Sequence, residues 1–154
     1  PWTWVTRELL ESPAWRAMGV NTWRLINFLL IEHMNHAGSE NGRLMATYEQ
    51  LEAYGLAKNC IFLAIDEAEF LGLIDVVHGG RWNMTNQPST FTLTFYADRK
   101  FRPPTNRWKG KTEEAILKWK ASRRAHRKKQ KNRPRYGGTV PPKKRVPAHV
   151  CAVP

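Results

Sequence analysis

The segment "TYEQLEAYGLAKNCIFLAIDEAEFLGLIDV", residues 47–76, constrains the fold more than any other part of the chain. Thr47 and Gln50 form a capping box, the pair of side chains that satisfies free backbone amides at the start of a helix. Gly55 is placed to end that short helix, and a second helix of roughly Lys58–Leu71 follows after a tight turn. Two helices joined by a short turn that contains a glycine form a helix-turn-helix motif.

The second of these helices has a single apolar stripe, and the residues at helical spacing are Ile61, Ala64, Ile65, Ala68 and Leu71. We expect this stripe to face the core, because residues three and four positions apart lie on the same side of a helix. The same helix also carries three acidic residues off the stripe, Asp66, Glu67 and Glu69.

The flanking segments predict a small sheet and two earlier helices. "LIDVVH" and "TFTLTFY" read as the strands of a hairpin with an eleven-residue loop, Gly79–Ser89, and the second strand alternates apolar residues with threonines. Upstream, Ser12 caps a short helix, and a longer helix is expected from Asn21 to near Ala37. An Asn41–Gly42 turn then leads into a very short strand. The predicted fold class is therefore mostly α with a small β-hairpin, an α+β fold.

The order helix, short strand, helix, turn, helix, hairpin is typical of a winged helix-turn-helix domain. The residues "YEQLEAYGLAKNCIFLAIDEAEFLGLID" resemble the helix-turn-helix and first wing strand of bacterial winged-helix DNA-binding proteins. The resemblance covers about residues 12–96. It extends to MarR-like and GntR-like regulators, to the winged domains of plasmid and phage replication initiators, and to short winged-helix proteins of alphaproteobacterial chromosomes and mobile elements.

The long helix that ends near Ala37, the helix that Thr47 opens and the Lys58–Leu71 helix are the first, second and third helices of such a domain, and the hairpin is its wing. The resemblance implies binding to double-stranded DNA, with the third helix in the major groove and the wing on the backbone or the minor groove. Lysine suits guanine and asparagine suits adenine as base partners. The predicted contacts are Lys58, Asn59 and Phe62 on the third helix, Arg81, Trp82 and Asn83 on the wing, and Thr47 and Tyr48 on the backbone at the start of helix two. The alternative is that Lys58 and Asn59 only open and cap their helix.

Charge divides the chain into two unlike parts. The formal net charge is +12, but the residues up to Ala97 hold six basic and ten acidic side chains, whereas the rest hold nineteen basic and three acidic ones. Because phosphate neutralisation supplies most non-specific affinity for DNA, the acidic front would not be drawn to DNA by its own charge. The basic stretch from Lys118 to Arg135 is expected to contact the DNA backbone or RNA, and its alternative is a solvated tail. The predicted backbone contacts are Arg123, Arg124, Arg127, Lys128 and Lys131.

We divide the chain into a winged helix-turn-helix domain (1–97), a proline-containing linker (98–111) with Trp108 available to dock, a basic C-terminal helix (112–133) and a disordered basic tail (134–154). The second half of the basic helix lacks an apolar stripe, so it should be helical only when docked or bound.

The leading functional hypothesis is a sequence-specific transcriptional regulator of bacterial or mobile-element origin, with a homodimer through the first helices or the C-terminal helix as a second expected partner. A replication or maintenance factor that binds origin repeats is the first alternative. A protein-interaction module with a non-specific nucleic-acid-binding tail is the second, because Phe62, Leu63 and Phe70 lie off the apolar stripe. Partial burial of these three residues against the wing or the C-terminal extension is the explanation that we favour for them.

Other function classes have little support in the sequence. There is no P-loop, no nucleotide-binding glycine fingerprint and no nucleophile elbow, so we expect no enzyme and no cofactor. His33 and His36 lack the paired spacing of a zinc site and are expected at the surface without a metal. No run is apolar enough for a membrane span, and two unlike cysteines fit a cytoplasmic, nucleoid-associated protein.

Overall fold

A computed structural model describes the backbone of residues 1–82 and 85–131, and the side chains of these ranges except residues 81–86 and 128–131. The predicted wing contact Asn83 and the predicted tail 134–154 lie outside this part of the chain. The described part is a mixed α+β fold, as expected. Its elements in chain order are α1 (Arg7–Glu11), α2 (Pro13–Arg16), α3 (Val20–Asn35), β1 (Leu44–Met45), α4 (Tyr48–Ala53), α5 (Ile61–Phe70), β2 (Ile74–Val77), β3 (Arg81–Trp82), β4 (Thr85–Asn86), β5 (Thr90–Leu93) and α6 (Glu113–Lys131).

The start of α3 differs from the prediction in a way that matters for the site. Asn21 does not cap the helix, because the cap position is Gly19, two residues earlier, and α3 has no capping side chain of its own. The Gly19 amide instead donates to the Glu67 carboxylate of α5 at 2.9 Å. An acid from another helix thus stabilises the positive end of α3.

The helix-turn-helix segment follows the sequence pattern closely. The Thr47 hydroxyl accepts the Gln50 amide at 3.2 Å, and the Gln50 side chain accepts the Thr47 amide at 2.9 Å, so the capping box is confirmed. A 3₁₀ turn at Lys58–Cys60 precedes α5, which therefore begins three residues later than predicted. All five residues of the apolar stripe are buried, as expected.

The three-stranded antiparallel sheet has the order β1–β5–β2, with Phe91 opposite Leu44 and Leu93 opposite Ile74. These four side chains are fully buried and close the core under α3 and α5. The strand β5 ends at Leu93. Thr94, which the alternation of the strand predicts to face outward, is instead buried, and its hydroxyl donates to the Gly72 carbonyl at 2.7 Å. The long loop of the hairpin is not irregular throughout, since it contains the short ladder of β3 and β4.

The Asn41–Gly42 turn, predicted only to change the direction of the chain, also forms hydrogen bonds with a distant segment. The Asn41 side chain is fully buried, and its amide nitrogen donates to the carbonyls of Leu93, Tyr96 and Ala97 at 2.9, 3.2 and 3.0 Å. Its oxygen accepts the Leu93 amide at 2.8 Å. One side chain therefore fixes the end of β5 and the start of the following segment.

The predicted linker packs against the front of the chain. Trp108 lies in a 3₁₀ turn and is 4% exposed, and the amide of Asn106 donates to the Thr94 carbonyl at 2.9 Å. Gly72, with φ +72°, lies so close to this segment that a Cβ there would be 2.8 Å from the Arg107 carbonyl carbon. The boundaries proposed for separate domains stay a prediction, but residues 106–108 are part of one packed structure with the sheet.

Two further features of this region bear on stability. Phe101 is 91% exposed and adopts the left-handed conformation, φ 57°, in a turn closed by the Asp98 carboxylate. His33, expected at the surface, is 6% exposed, and its ring stacks on that of Tyr96 with centroids 4.7 Å apart. The surface expectation was wrong because the end of α3 packs against the segment that Asn41 fixes. Burial lowers the pKa of His33.

Candidate nucleic-acid interface

The basic helix α6 packs along α5 in the opposite direction. The rings of Phe70 and Trp119 stack with centroids 4.4 Å apart and an interplanar angle of 9°. One turn earlier on α5 and one turn later on α6, Asp66 and Arg123 form an ion pair. Successive contacts move toward the N-terminus of α5 and toward the C-terminus of α6, so the two helices are antiparallel.

A second carboxylate of α5, that of Glu67, joins three helices. Besides the Gly19 amide, it accepts the Thr22 hydroxyl of α3, and its other oxygen lies 3.5 Å from the Lys120 Nζ of α6. Lys120 also donates to the Ala17 carbonyl at the end of α2. Glu67 is therefore a central contact between α3, α5 and α6 rather than an isolated surface charge.

Two of the three acids on α5 are therefore paired within the fold. Asp66 and Glu67 do not face solvent as uncompensated charges, since each has a basic partner on α6. The sequence contained a signal for this arrangement that our interpretation missed. An acid and an aromatic residue four apart on α5 match an aromatic and a basic residue four apart on α6, in reversed order.

An open groove of about 740 Å³, which we call the α5–α6 groove, lies between the two helices. Its walls come from the start of α3, the first turns of α5 and the middle of α6. Residues with exposed or half-exposed side chains at its edge include Asn21, Asn59, Phe62, Arg124 and Arg127. The groove thus combines amide groups, one exposed aromatic ring and two guanidinium groups.

A second groove, of about 560 Å³, lies on the other side of α5, and we call it the wing groove. It is bordered by the start of α4, by α5 and by the base of the β2–β5 hairpin. Thr47, Tyr48, Phe62, His78 and Gln87 line it. Phe62, which is 58% exposed, lines both grooves and therefore stands on the ridge between them.

The predicted site residues divide between these two surfaces. Thr47, Tyr48 and Phe62 meet at the wing groove, whereas Asn59 and Phe62 meet the α6 arginines at the α5–α6 groove. Lys58 is exposed on the 3₁₀ turn and lines neither. The structure gives only the backbone for four others: Arg81 and Trp82 in β3, and Lys128 and Lys131 in α6. Polar residues that were not predicted but line the grooves include Asn21, His78, Gln87 and His126.

The arginines predicted to contact the DNA backbone have unequal surroundings. Arg123 is paired with Asp66 and lies over the Trp119 ring, with its guanidinium carbon 5.2 Å from the ring centroid. Arg124 and Arg127 are exposed, and neither forms an ion pair within the described part of the chain. Arg123 is therefore engaged in contacts within the fold, whereas Arg124 and Arg127 are accessible to a ligand.

The three apolar residues that lie off the α5 stripe, Phe62, Leu63 and Phe70, differ in burial. Phe70 stacks on Trp119, and the Nζ of Lys111 lies 4.4 Å from the centroid of the Phe70 ring. Leu63 is half-buried at the wall of the α5–α6 groove. Burial against the C-terminal extension is thus confirmed for Phe70, and only Phe62 of the three is largely exposed.

Comparisons of the chain with protein-family models, with curated proteins and with solved structures found no match. Within residues 1–82 and 85–131, no helix has the length and apolar character to cross a membrane. The same part of the chain contains no group of three or more His, Cys, Asp or Glu side chains placed to hold a metal ion.

Proposed function

We propose that the chain is a winged helix-turn-helix protein that binds double-stranded DNA with sequence preference and acts as a transcriptional regulator of bacterial or mobile-element origin. The observation that carries the proposal is the chain order α3–β1–α4–α5–β2–β5 combined with the sheet order β1–β5–β2. In a winged helix, this order corresponds to a recognition helix, here α5, beside a wing, here the β2–β5 hairpin.

In this assignment, the first turns of α5 read base edges in the major groove. Asn59 and Phe62 are exposed at that end of the helix, and Lys58 immediately precedes it. Thr47 and Tyr48 at the start of α4 are exposed across the wing groove, where a helix-turn-helix contacts the backbone. The proposal therefore uses neighbouring exposed side chains from α4, α5 and the wing.

Charge pairing supports the same proposal. The net negative front of the chain would repel phosphates, but two of its acids are matched by cations of α6. Arg124 and Arg127 then supply positive charge beside the start of α5. The alternative of a protein-interaction module is weakened for Phe70, which stacks on Trp119 within the chain, and for Leu63, which is half-buried.

The experiment is a selection of bound duplexes from a random library and from genomic fragments, using the full chain. The double variant Lys58→Ala/Asn59→Ala is compared with Asn35→Ala/Lys100→Ala, which removes the same side-chain types at exposed positions away from both grooves. We expect the first variant to lose about 5- to 150-fold in preference for the selected site over a mismatched one, and the control to lose none.

An unchanged preference in the first variant would refute base readout by the start of α5. Selected genomic sites at promoters support a regulator, whereas iterated repeats at an origin would replace that part of the proposal with a replication or maintenance role. The same binding data give the salt dependence. For six to eight neutralised phosphates, the logarithm of the binding constant should fall with the logarithm of salt concentration at a slope of about −5 to −7.

A further inference from the structure

We propose that the α5–α6 groove holds one sugar–phosphate strand of the DNA duplex, and that Asp66 and Glu67 are positioning residues that fix α6 over that strand. The inference rests on the proposed function, since it assumes that α5 enters the major groove. It adds a defined backbone-binding site and a role for two acids that ordinary electrostatics would count as unfavourable.

The width of the two-helix unit leads to this assignment. Two packed helices, each about 10–12 Å across with axes about 8–10 Å apart, span about 20 Å. The major groove of B-form DNA is about 12 Å wide and admits one helix. If α5 enters it, α6 must lie outside, across the strand that borders the groove. The open space between the helices is at the start of α5, where that strand would pass.

The walls of the groove suit a sugar–phosphate strand. Arg124 and Arg127 are three residues apart on α6, which is about one helical turn. Guanidinium groups bind phosphate oxygens through paired donors. The amides of Asn21 and Asn59 add neutral donors from the opposite wall, and Phe62 gives the sugar an apolar contact. The Gly19 amide is not available as a donor to this strand, because it is bonded to Glu67.

Asp66 and Glu67 also line the groove, but each carboxylate is paired with a basic side chain of α6, and we assign them a role through that helix. Asp66 holds Arg123, and Glu67 holds Lys120, so together they fix the face of α6 that turns Arg124 and Arg127 toward the groove. Removing a negative charge from a DNA-binding helix ordinarily strengthens binding to DNA. Here the removal of Asp66 should weaken it, because the strand-binding arginines lose their fixed position relative to α5.

The test measures binding of the full chain to a labelled duplex that carries the selected site. In a parallel set of duplexes, single phosphates are replaced by neutral methylphosphonates at each position of both strands. Arg124→Ala/Arg127→Ala should weaken binding at least about 10-fold and make the salt slope about 2 less negative. Wild type should lose affinity at a short run of methylphosphonate positions on one strand, and the double variant should show no further loss there.

The positioning role is tested by Asp66→Asn against Glu69→Gln, which removes the same charge from the same helix at a residue with no ion pair in the described part of the chain. We expect Asp66→Asn to weaken duplex binding about 3- to 10-fold, and Glu69→Gln to leave it unchanged or strengthen it. The exchanged pair Asp66→Arg/Arg123→Asp keeps the net charge and should restore affinity, which separates positioning from misfolding.

Unchanged or stronger binding by Asp66→Asn would overturn the inference, as would a methylphosphonate profile that is identical in wild type and Arg124→Ala/Arg127→Ala. Tighter binding of the same sequence as a single strand or as RNA would also overturn it. In each of these cases, sequence-selective duplex binding by wild type would leave the proposed function intact. Absence of that selective binding would instead refute the proposed function itself.

Discussion

Replacing Trp108 by alanine should destabilise the whole chain, although this residue belongs to a segment that resembles a linker in sequence. The side chain is 4% exposed, and a tryptophan of this burial removes about 150–250 Å² from water. At about 25 cal/mol per Å², this area corresponds to about 4–6 kcal/mol as an upper bound. Large-to-small replacements of buried aromatics give about 3–5 kcal/mol, which is the loss that we expect.

The measurement is denaturant unfolding followed by far-ultraviolet circular dichroism, because the chain contains seven tryptophans and their fluorescence would not report on one site. Trp2→Ala is the matched control, since Trp2 is 83% exposed and should change the free energy of unfolding by less than about 0.5 kcal/mol. A loss below about 1 kcal/mol for Trp108→Ala would refute the claim that this segment is part of the cooperative fold.

Three further predictions concern single residues. Burial lowers the pKa of His33 from its usual 6.5, so the folded state binds the proton less readily than the unfolded state, and the free energy of unfolding should fall as pH drops from about 7 through 6.5 and below. His33→Phe should reduce this dependence in thermal melts from pH 7 to pH 5, and an unchanged dependence would contradict this. Gly72→Ala should cost at least about 2 kcal/mol in denaturant unfolding, because its φ is +72° and a Cβ would strike neighbouring backbone, whereas Gly110→Ala, with open space, should cost little; equal effects would contradict this. Phe101→Asn should raise the free energy of unfolding by up to about 1 kcal/mol, since asparagine tolerates the left-handed conformation better; a loss would show that the exposed ring has a stabilising contact.

The sequence predicts those parts of the fold that depend on local signals. The capping box at Thr47, the apolar stripe that includes Ile61 and the alternation around Phe91 each involve residues a few positions apart, and all three appear in the structure. The fold class follows from these elements. The first turns of α5 were expected to be helical from Lys58, but the turn there is 3₁₀, which periodicity alone does not distinguish.

The features that define the candidate site depend on contacts between distant segments. The pairing of Asp66 with Arg123 requires knowing that α6 folds back antiparallel to α5, and that direction becomes visible only when the spacings on these two distant helices are compared in reversed order. His33 shows the same limit, because its burial depends on Tyr96, far along the chain. As a result, the sequence identified Arg124 and Arg127 as basic residues of interest but could not separate them from Arg123.

The hydrogen bonds of Asn41 also limit the deamidation of this side chain in the folded protein. Asparagine followed by glycine is the pair most prone to deamidation, in which the glycine amide nitrogen attacks the side-chain carbonyl carbon through a cyclic intermediate. In the folded chain this carbonyl is buried and its amide is held by three carbonyl oxygens, so the attack requires the end of β5 to open first. The product is a carboxylate, which cannot donate to those three oxygens. Each molecule that opens there for long enough is therefore changed irreversibly, and the fraction of chains with an aspartate or isoaspartate at position 41 records the history of that opening.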